Sequence, residues 1–117
     1  MNIEEIRDFC LSKAEVTESF PFDNETLVFK VRGKMFLLAG INSPLSINVK
    51  CDPEKAQELR AQFPSVQPGY HMNKLHWNTI HIDGSLDDRQ IYDWIDESYY
   101  LVASKLSKKE RAFLINE

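Results

Sequence analysis

Ile3, Ile6, Phe9 and Cys10 recur at helical spacing, which predicts an amphipathic helix over residues 3–14. The run Ser19-Phe20-Pro21-Phe22-Asp23 breaks that period. Leu27, Phe29 and Val31 then alternate with Val28, Lys30 and Arg32, the period of two that marks a strand with one buried face. Gly33 supplies the permissive backbone of a hairpin turn, and residues 35–39 form the returning strand. Beyond a loop at 40–44, Leu45, Ile47 and Val49 alternate with Ser46, Asn48 and Lys50 in a third strand.

Asp52-Pro53 predicts the start of a second helix. The aspartate side chain accepts from orphan amides at the cap, and proline in the first position lacks an amide that would go unused. Ala56, Leu59 and Phe63 mark its inner face, and Pro64 ends it. A short strand near 67–71 and a firmer one at 76–82 follow. Asp83-Gly84 is a turn, and Ser85-Leu86-Asp87-Asp88 has the form of a capping-box variant. Ile91, Ile95, Tyr99, Val102 and Leu106 define a long helix over roughly 86–106. From Ser107 the chain reads as a charged tail, whose Phe113, Leu114 and Ile115 point to packing on the domain itself or on a partner.

The predicted order is α-β-β-β-α-β-β-α. Hairpins imply an antiparallel sheet, and strands that alternate apolar with polar bury one face only. The fold class is therefore α+β, two layers, with the helices on one face of the sheet and the other face open. With 117 residues of which 43% are apolar, one domain spanning 1–117 is expected, able to bury a core without a metal or disulfide staple. No apolar run reaches membrane-spanning length, and the acidic start at Met1-Asn2-Ile3-Glu4-Glu5 is unlike a signal peptide. A cytoplasmic location is the expectation. It makes a disulfide between Cys10 and Cys51 improbable and assigns both thiols to the core.

The chain carries a net charge of −4, unevenly placed. Residues 1–25 have a net −5, residues 26–84 a net +3 and residues 85–117 a net −2. Within 26–50 there are four basic residues, Lys30, Arg32, Lys34 and Lys50, and no acid. Lys30 and Arg32 have the strand parity opposite to Phe29 and Val31, and Lys50 the parity opposite to Val49, so all three are expected on the open face. Such a face attracts polyanions locally, because screening over about 8–10 Å limits the reach of acidic helices. The plain alternative is that these lysines solubilise and protect strands.

The densest polar and aromatic segment runs from Pro68 to Asn78. Lys74 is suited to phosphate, and Trp77, Tyr70 or His76 to stacking on a base. Asn73 and Asn78 are suited to hydrogen-bonding base edges; core or rim packing is the competing account of Trp77, and turn formation that of the two asparagines. His71, His76 and His81 are spaced by five, which on a strand alternates faces and on a helix turns the chain by about 500°. That spacing does not bring three imidazoles to one ion. Glu4, Glu5, Asp8, Glu15 and Glu18 suit a solvated helix face better than an iron-binding ridge. Ser19, Ser43, Ser85 and Ser98 lack a nucleophile-elbow context, and His81 with Asp83 has no evident reacting partner. Lys105, Lys108, Lys109 and Arg111 offset a helix dipole or contact phosphate.

Residues 29–36 (Phe-Lys-Val-Arg-Gly-Lys-Met-Phe), 68–79 (Pro-Gly-Tyr-His-Met-Asn-Lys-Leu-His-Trp-Asn-Thr) and 83–86 (Asp-Gly-Ser-Leu) resemble the MmcQ/YjbR family over essentially the whole chain. The resemblance implies a small bacterial domain with a CyaY-like fold, described as a double wing and named as DNA-binding. The hairpin at 30–34 and the segment 73–78 are the positions that correspond to wings. The fold relation to frataxin-like proteins does not carry iron binding with it.

Together these readings lead to a non-enzymatic DNA-binding protein without metal or cofactor, using its open sheet face and hairpin tips. Lys30, Arg32, Lys34, Lys50 and Lys74 would contact phosphates, with His76 and Trp77 completing the nucleic-acid-binding set. The alternative is an interaction module that docks a partner protein or a second copy on the same face, the chain itself being a monomer or weak homodimer.

Overall fold

A computed structural model describes residues 1–42 and 44–115. The first helix, α1 (Ile3–Leu11), starts where Asn2 and Glu5 exchange side-chain and backbone hydrogen bonds as a capping box, and it buries Ile6 and Cys10. Six strands form one antiparallel sheet: β1 (Val16–Ser19), β2 (Thr26–Val31), β3 (Lys34–Gly40), β4 (Ser46–Lys50), β5 (Val66–Pro68) and β6 (Trp77–His81), in the spatial order β1-β2-β3-β4-β6-β5. Helices α2 (Pro53–Gln62), α3 (Asp88–Ala103) and α4 (Lys108–Ile115) complete the chain. This is the expected α+β architecture with two elements added.

The first addition is β1. It is short and polar, and it pairs Val16 with Val31 and Glu18 with Phe29 at the sheet edge. Glu18 is directed toward the helix layer, where both carboxylate oxygens accept from Arg7 Nε of α1, at 2.6 and 2.8 Å. A strand whose inner face carries a glutamate has no apolar period to find. The second addition is α4, where the sequence suggested only a tail. Its Leu114 packs against the core, and its Phe113 ring lies 4.1 Å from the Arg32 guanidinium.

The core lies between sheet and helices. Phe29, Leu37, Ile47 and Ile80 line the sheet's inner face, and Ile6, Ala56, Ile91 and Ile95 meet them from three helices. Each large apolar side chain taken out of water contributes about 1.5–3 kcal/mol. α3 crosses β3 and β4, α1 lies on β1, and α2 lies on β5 and β6. Cys10 and Cys51 are both free and buried, and burial pushes their thiols up to about 12 and about 11, so they pack as small hydrophobes.

Two local features fix the register of the hairpin. Arg32 and Gly33 both have positive φ, 47° and 83°, the backbone of a tight turn whose twist matches the strands. Just before it a bulge shifts the pairing: Phe29 faces Leu37 but Lys30 faces Met35, leaving Phe36 as the extra residue. Phe36 is fully buried, its ring set edge-on to Tyr99 at 5.4 Å.

Ser98 joins α3 to the sheet from inside the core. Its hydroxyl donates to the Phe36 carbonyl at 2.5 Å and accepts from the Lys50 amide at 2.8 Å. The cap of α3 differs from the expected one. Asp87 holds it by accepting from the Arg89 amide, whereas Ser85 donates to Asp83 and meets Ser65, tying the loop before β5 to the end of β6.

Two outcomes follow for stability. Ser98→Ala leaves a buried carbonyl and a strand-end amide without their partner, and urea unfolding should show a loss of about 1–3 kcal/mol; an unchanged midpoint would remove the hydroxyl from the account. Asp83 is held down to about 2 by the Ser85 hydroxyl, the Ser85 amide and the Ser65 hydroxyl, against an ordinary value of 3.8. Its stabilising effect is therefore complete above about pH 4 and fades as pH falls through about 2. Asp83→Asn should show a shallower loss of urea midpoint between pH 4 and pH 2 than the parent chain; parallel curves contradict the clamp.

Candidate nucleic-acid interface

Strand register defines the face turned away from the helices. One row across it reads Ser19, Val28, Leu38, Asn48, Thr79 and Gln67. Toward the β2–β3 turn the next row holds Thr17, Lys30 and Met35, with Lys50 opposite Trp77. The face is not the uniformly polar surface the alternation predicted. Val28, Leu38 and Trp77 are buried there as a second, smaller cluster, joined by Met35 and Met72.

What covers that cluster is the loop between β5 and β6. Its Gly69 approaches so closely that an added Cβ would stand 2.8 Å from Trp77 Cβ and 2.9 Å from the Trp77 carbonyl oxygen. Thr79 Oγ1 accepts from the Tyr70 amide at 2.9 Å, and Asn48 Nδ2 donates to the Tyr70 carbonyl at 3.3 Å. Asn73 makes a local turn by accepting from the Leu75 amide at 2.8 Å. From the helix side, Arg60 of α2 donates through Nε to Asn78 at 2.6 Å, and through Nη2 to the Trp77 carbonyl at 3.1 Å and to the Lys74 carbonyl. Arg60 drew no attention in the sequence, where it reads as one more solvent-facing helix cation. Asn78, weighed as a base contact, is buried in this network, its amide donating to the Ala56 carbonyl.

The structure separates the residues proposed from sequence. Lys30 and Lys50 leave the open face, half-buried, from strands with β3 between them, a spacing of about 10 Å. Lys34 faces Val31 and so leaves on the helix-side parity, exposed at the turn. Lys74 is exposed in the loop, its ammonium 3.4 Å from the Gly69 carbonyl. Among the described residues none of these four lysines has a carboxylate partner, whereas Arg7, Lys13, Arg32 and Lys55 each have one.

Two assignments need correction. Arg32 is not on the open face: the turn breaks strand parity, and its guanidinium pairs with Glu15 at 3.1 Å and covers Phe113. Trp77 is 8% exposed against Val28 and Leu38, so its ring is not offered to a base. His76 is half-buried, as Lys30 and Lys50 are, and its backbone carbonyl accepts from the Cys51 amide at 2.7 Å, which leaves the imidazole uncommitted by that bond.

Exposed rings stand elsewhere. Phe22 and Tyr70 both line a groove of 620 Å³ over the sheet. Its floor includes Met35, Leu38, Asn48 and Thr79, and Asp23 and Glu25 lie on the Phe22 side. His71, on the Tyr70 side, has a left-handed backbone at φ 59°. His76 and His81 lie apart from it, at opposite ends of β6. Among the described residues no three metal-ligating side chains converge, and no helix is long and apolar enough to cross a membrane.

The family model described as YjbR matches residues 11–101. The chain belongs to the YjbR family. "Uncharacterized protein YjbR" of Escherichia coli strain K12 is 34% identical over 116 residues, 98% of each chain. "Uncharacterized protein YbdF" of Escherichia coli O157:H7 is 37% identical over 93 residues, 79% of this chain and 76% of that one. Among solved structures, Deinococcus radiodurans protein DR2400, with domain DUF419, has a TM-score of 0.92 at 40% identity over 97% of this chain and 87% of its own. A Pseudomonas syringae protein has a TM-score of 0.76 at 29% identity, covering 87% of this chain and 99% of its own. These likenesses show the α+β fold of the YjbR family.

Among the described residues, Arg60 is the helix side chain whose hydrogen bonds tie this loop to the helix layer. Arg60→Met keeps the aliphatic packing and removes the donors, which should cost about 1.5–3 kcal/mol and speed hydrogen exchange at the amides of residues 73–77. Unchanged exchange there would show that the sheet-side bonds of Tyr70 suffice.

Proposed function

We propose that the domain is a non-catalytic DNA-binding protein whose contact surface is the β2–β3 end of the sheet. The observation that carries this reading is the set Lys30, Lys34, Lys50 and Lys74, without carboxylate partners among the described residues, at the end of the sheet where β2 and β4 finish and β6 begins. The family resemblance adds to it. The acids lie mostly elsewhere: Glu4, Glu5 and Asp8 on α1, and Asp88, Asp93, Asp96 and Glu97 on α3. With screening over about 8 Å at physiological salt, the helix-layer acids weaken but do not cancel attraction at the far face. Lysine ammoniums position a phosphate backbone without reading bases. Arg32, paired with Glu15, and Trp77, buried against Val28 and Leu38, drop out of the contact set, while half-buried His76 stays beside Lys74 at the start of β6.

Four phosphate contacts would give a plot of log affinity against log salt with a slope of about −3 to −4 on duplex DNA. The variant Lys30→Ala/Lys50→Ala/Lys74→Ala should reduce the slope by about 2–3 and weaken binding at least tenfold at low salt, read by fluorescence anisotropy. Arg32→Ala should leave the slope in place while lowering thermal stability. Binding that ignores salt, or survives the triple substitution, defeats the reading.

A further inference from the structure

We propose that the groove between Phe22 and Tyr70 receives unpaired bases, so that the DNA ligand is a single strand, one that favours amino-bearing bases over thymine. This rests on the DNA-binding reading above and adds the strandedness and base class to it. The groove and the lysine end adjoin: Met35, which faces Lys30 across the β2–β3 pair, is also part of the groove floor. A strand whose phosphates meet Lys30 and Lys50 has its bases over that floor.

The rings are placed for stacking rather than for packing. Tyr70 is 70% exposed and Phe22 64% exposed, while the true core aromatics are covered. Tyr70 is nonetheless fixed, because its amide and carbonyl are held from beneath by Thr79 and Asn48, and its ring contacts that of His71 at 4.0 Å. The left-handed backbone of His71 is a strained feature at the same wall. A stacking platform that is already ordered loses little entropy when a base arrives. In a duplex both faces of each base are already covered by neighbours, so only an unpaired base can use these rings.

The carboxylates decide what enters. Asp23 is anchored by the Glu25 and Thr26 amides at 2.8 and 2.7 Å and by the Thr26 hydroxyl at 3.3 Å. Glu25 is exposed, with its carboxylate free of hydrogen bonds from described residues. These acceptors repel phosphate and so keep the backbone at the lysine end. They accept from an exocyclic amine, which cytosine, adenine and guanine carry and thymine lacks. A polypeptide fits the apolar floor, but it leaves the four lysines without a counterpart, and nucleic acid accounts for both.

Fluorescein-labelled 12-mers of dC and dT and a mixed-sequence 12-bp duplex, titrated with the full chain at 100 mM salt, test this. Single-stranded dC should bind at least tenfold more tightly than the duplex, and more tightly than dT. Tyr70→Ala should weaken dC binding about 5- to 150-fold, Tyr70→Phe should restore it, and Glu25→Gln should narrow the preference for dC over dT. Equal affinity for duplex and single strand, or no effect of Tyr70→Ala while the triple lysine variant loses binding, overturns the groove assignment and leaves DNA binding standing. No binding of any strand at 50 mM salt overturns both. Saturable binding of the tripeptide amide Phe-Arg-Phe that Tyr70→Ala abolishes, with no strand bound, gives the groove to polypeptide and also overturns it.

Discussion

Trp77 packs against Val28 and Leu38 on the face of the sheet that no helix covers. Because β2 and β3 bury side chains on both faces, that second cluster must be shielded by something other than a helix. The loop from β5 to β6 supplies the shield, and its path is dictated by close contact: Gly69 against Trp77, Met72 on the cluster, Tyr70 bonded to Thr79 and Asn48. Once the loop lies there, one wall of the groove exists. The candidate binding surface is thus a by-product of how a tryptophan on the wrong side of the sheet is kept from water.

Helices and strands that bury a regular stripe were legible in the sequence. α1, α2, α3 and the three central strands fall where their apolar period places them, and Asp52-Pro53 marks the start of α2 as its cap chemistry requires. β1 was not legible because its inward residue Glu18 is satisfied by a partner on another element, Arg7. The packing of the tail was legible in Phe113 and Leu114, but its helix was not, because one core contact, Leu114, and one ring over a guanidinium, Phe113, make no apolar stripe. Val28 and Leu38 look like outward positions of alternating strands. Trp77 on β6, two strands from Leu38 and three from Val28, and the loop that carries Met72 make them interior, and that is a long-range fact.

The same distinction governs the charges. Parity placed Lys30 and Lys50 correctly, since both sit in regular strand. It failed for Arg32, which lies in the turn, and it said nothing of Lys34, which faces Val31 on the turn side of the bulge. Pairing then divides the cations further. Lys13 is taken up by Asp96 and lies over the rings of Phe9 and Tyr99, and Lys55 is taken up by Glu97. Partly exposed pairs of this kind contribute little to stability, at most about 1 kcal/mol. They commit Lys13 and Lys55 to α3 carboxylates, whereas Lys30 and Lys50 on the open face have no such partner among the described residues.

Arg32 converts the hairpin from a mobile wing into a fixed one. A non-glycine residue at φ 47° costs free energy, of order 1–3 kcal/mol for such strained backbone, and persists only where surroundings hold it. Here Glu15, itself at φ 59°, accepts from the Arg32 amide through its carbonyl and from the guanidinium through its carboxylate, while Phe113 covers the other side. The tip is therefore bound at once to the residue before β1 and to α4. Lys30 and Lys34 flank this anchored turn, so a ligand that meets them does not have to order the backbone beneath them first, and the entropy that a flexible wing would lose on binding is already spent in folding.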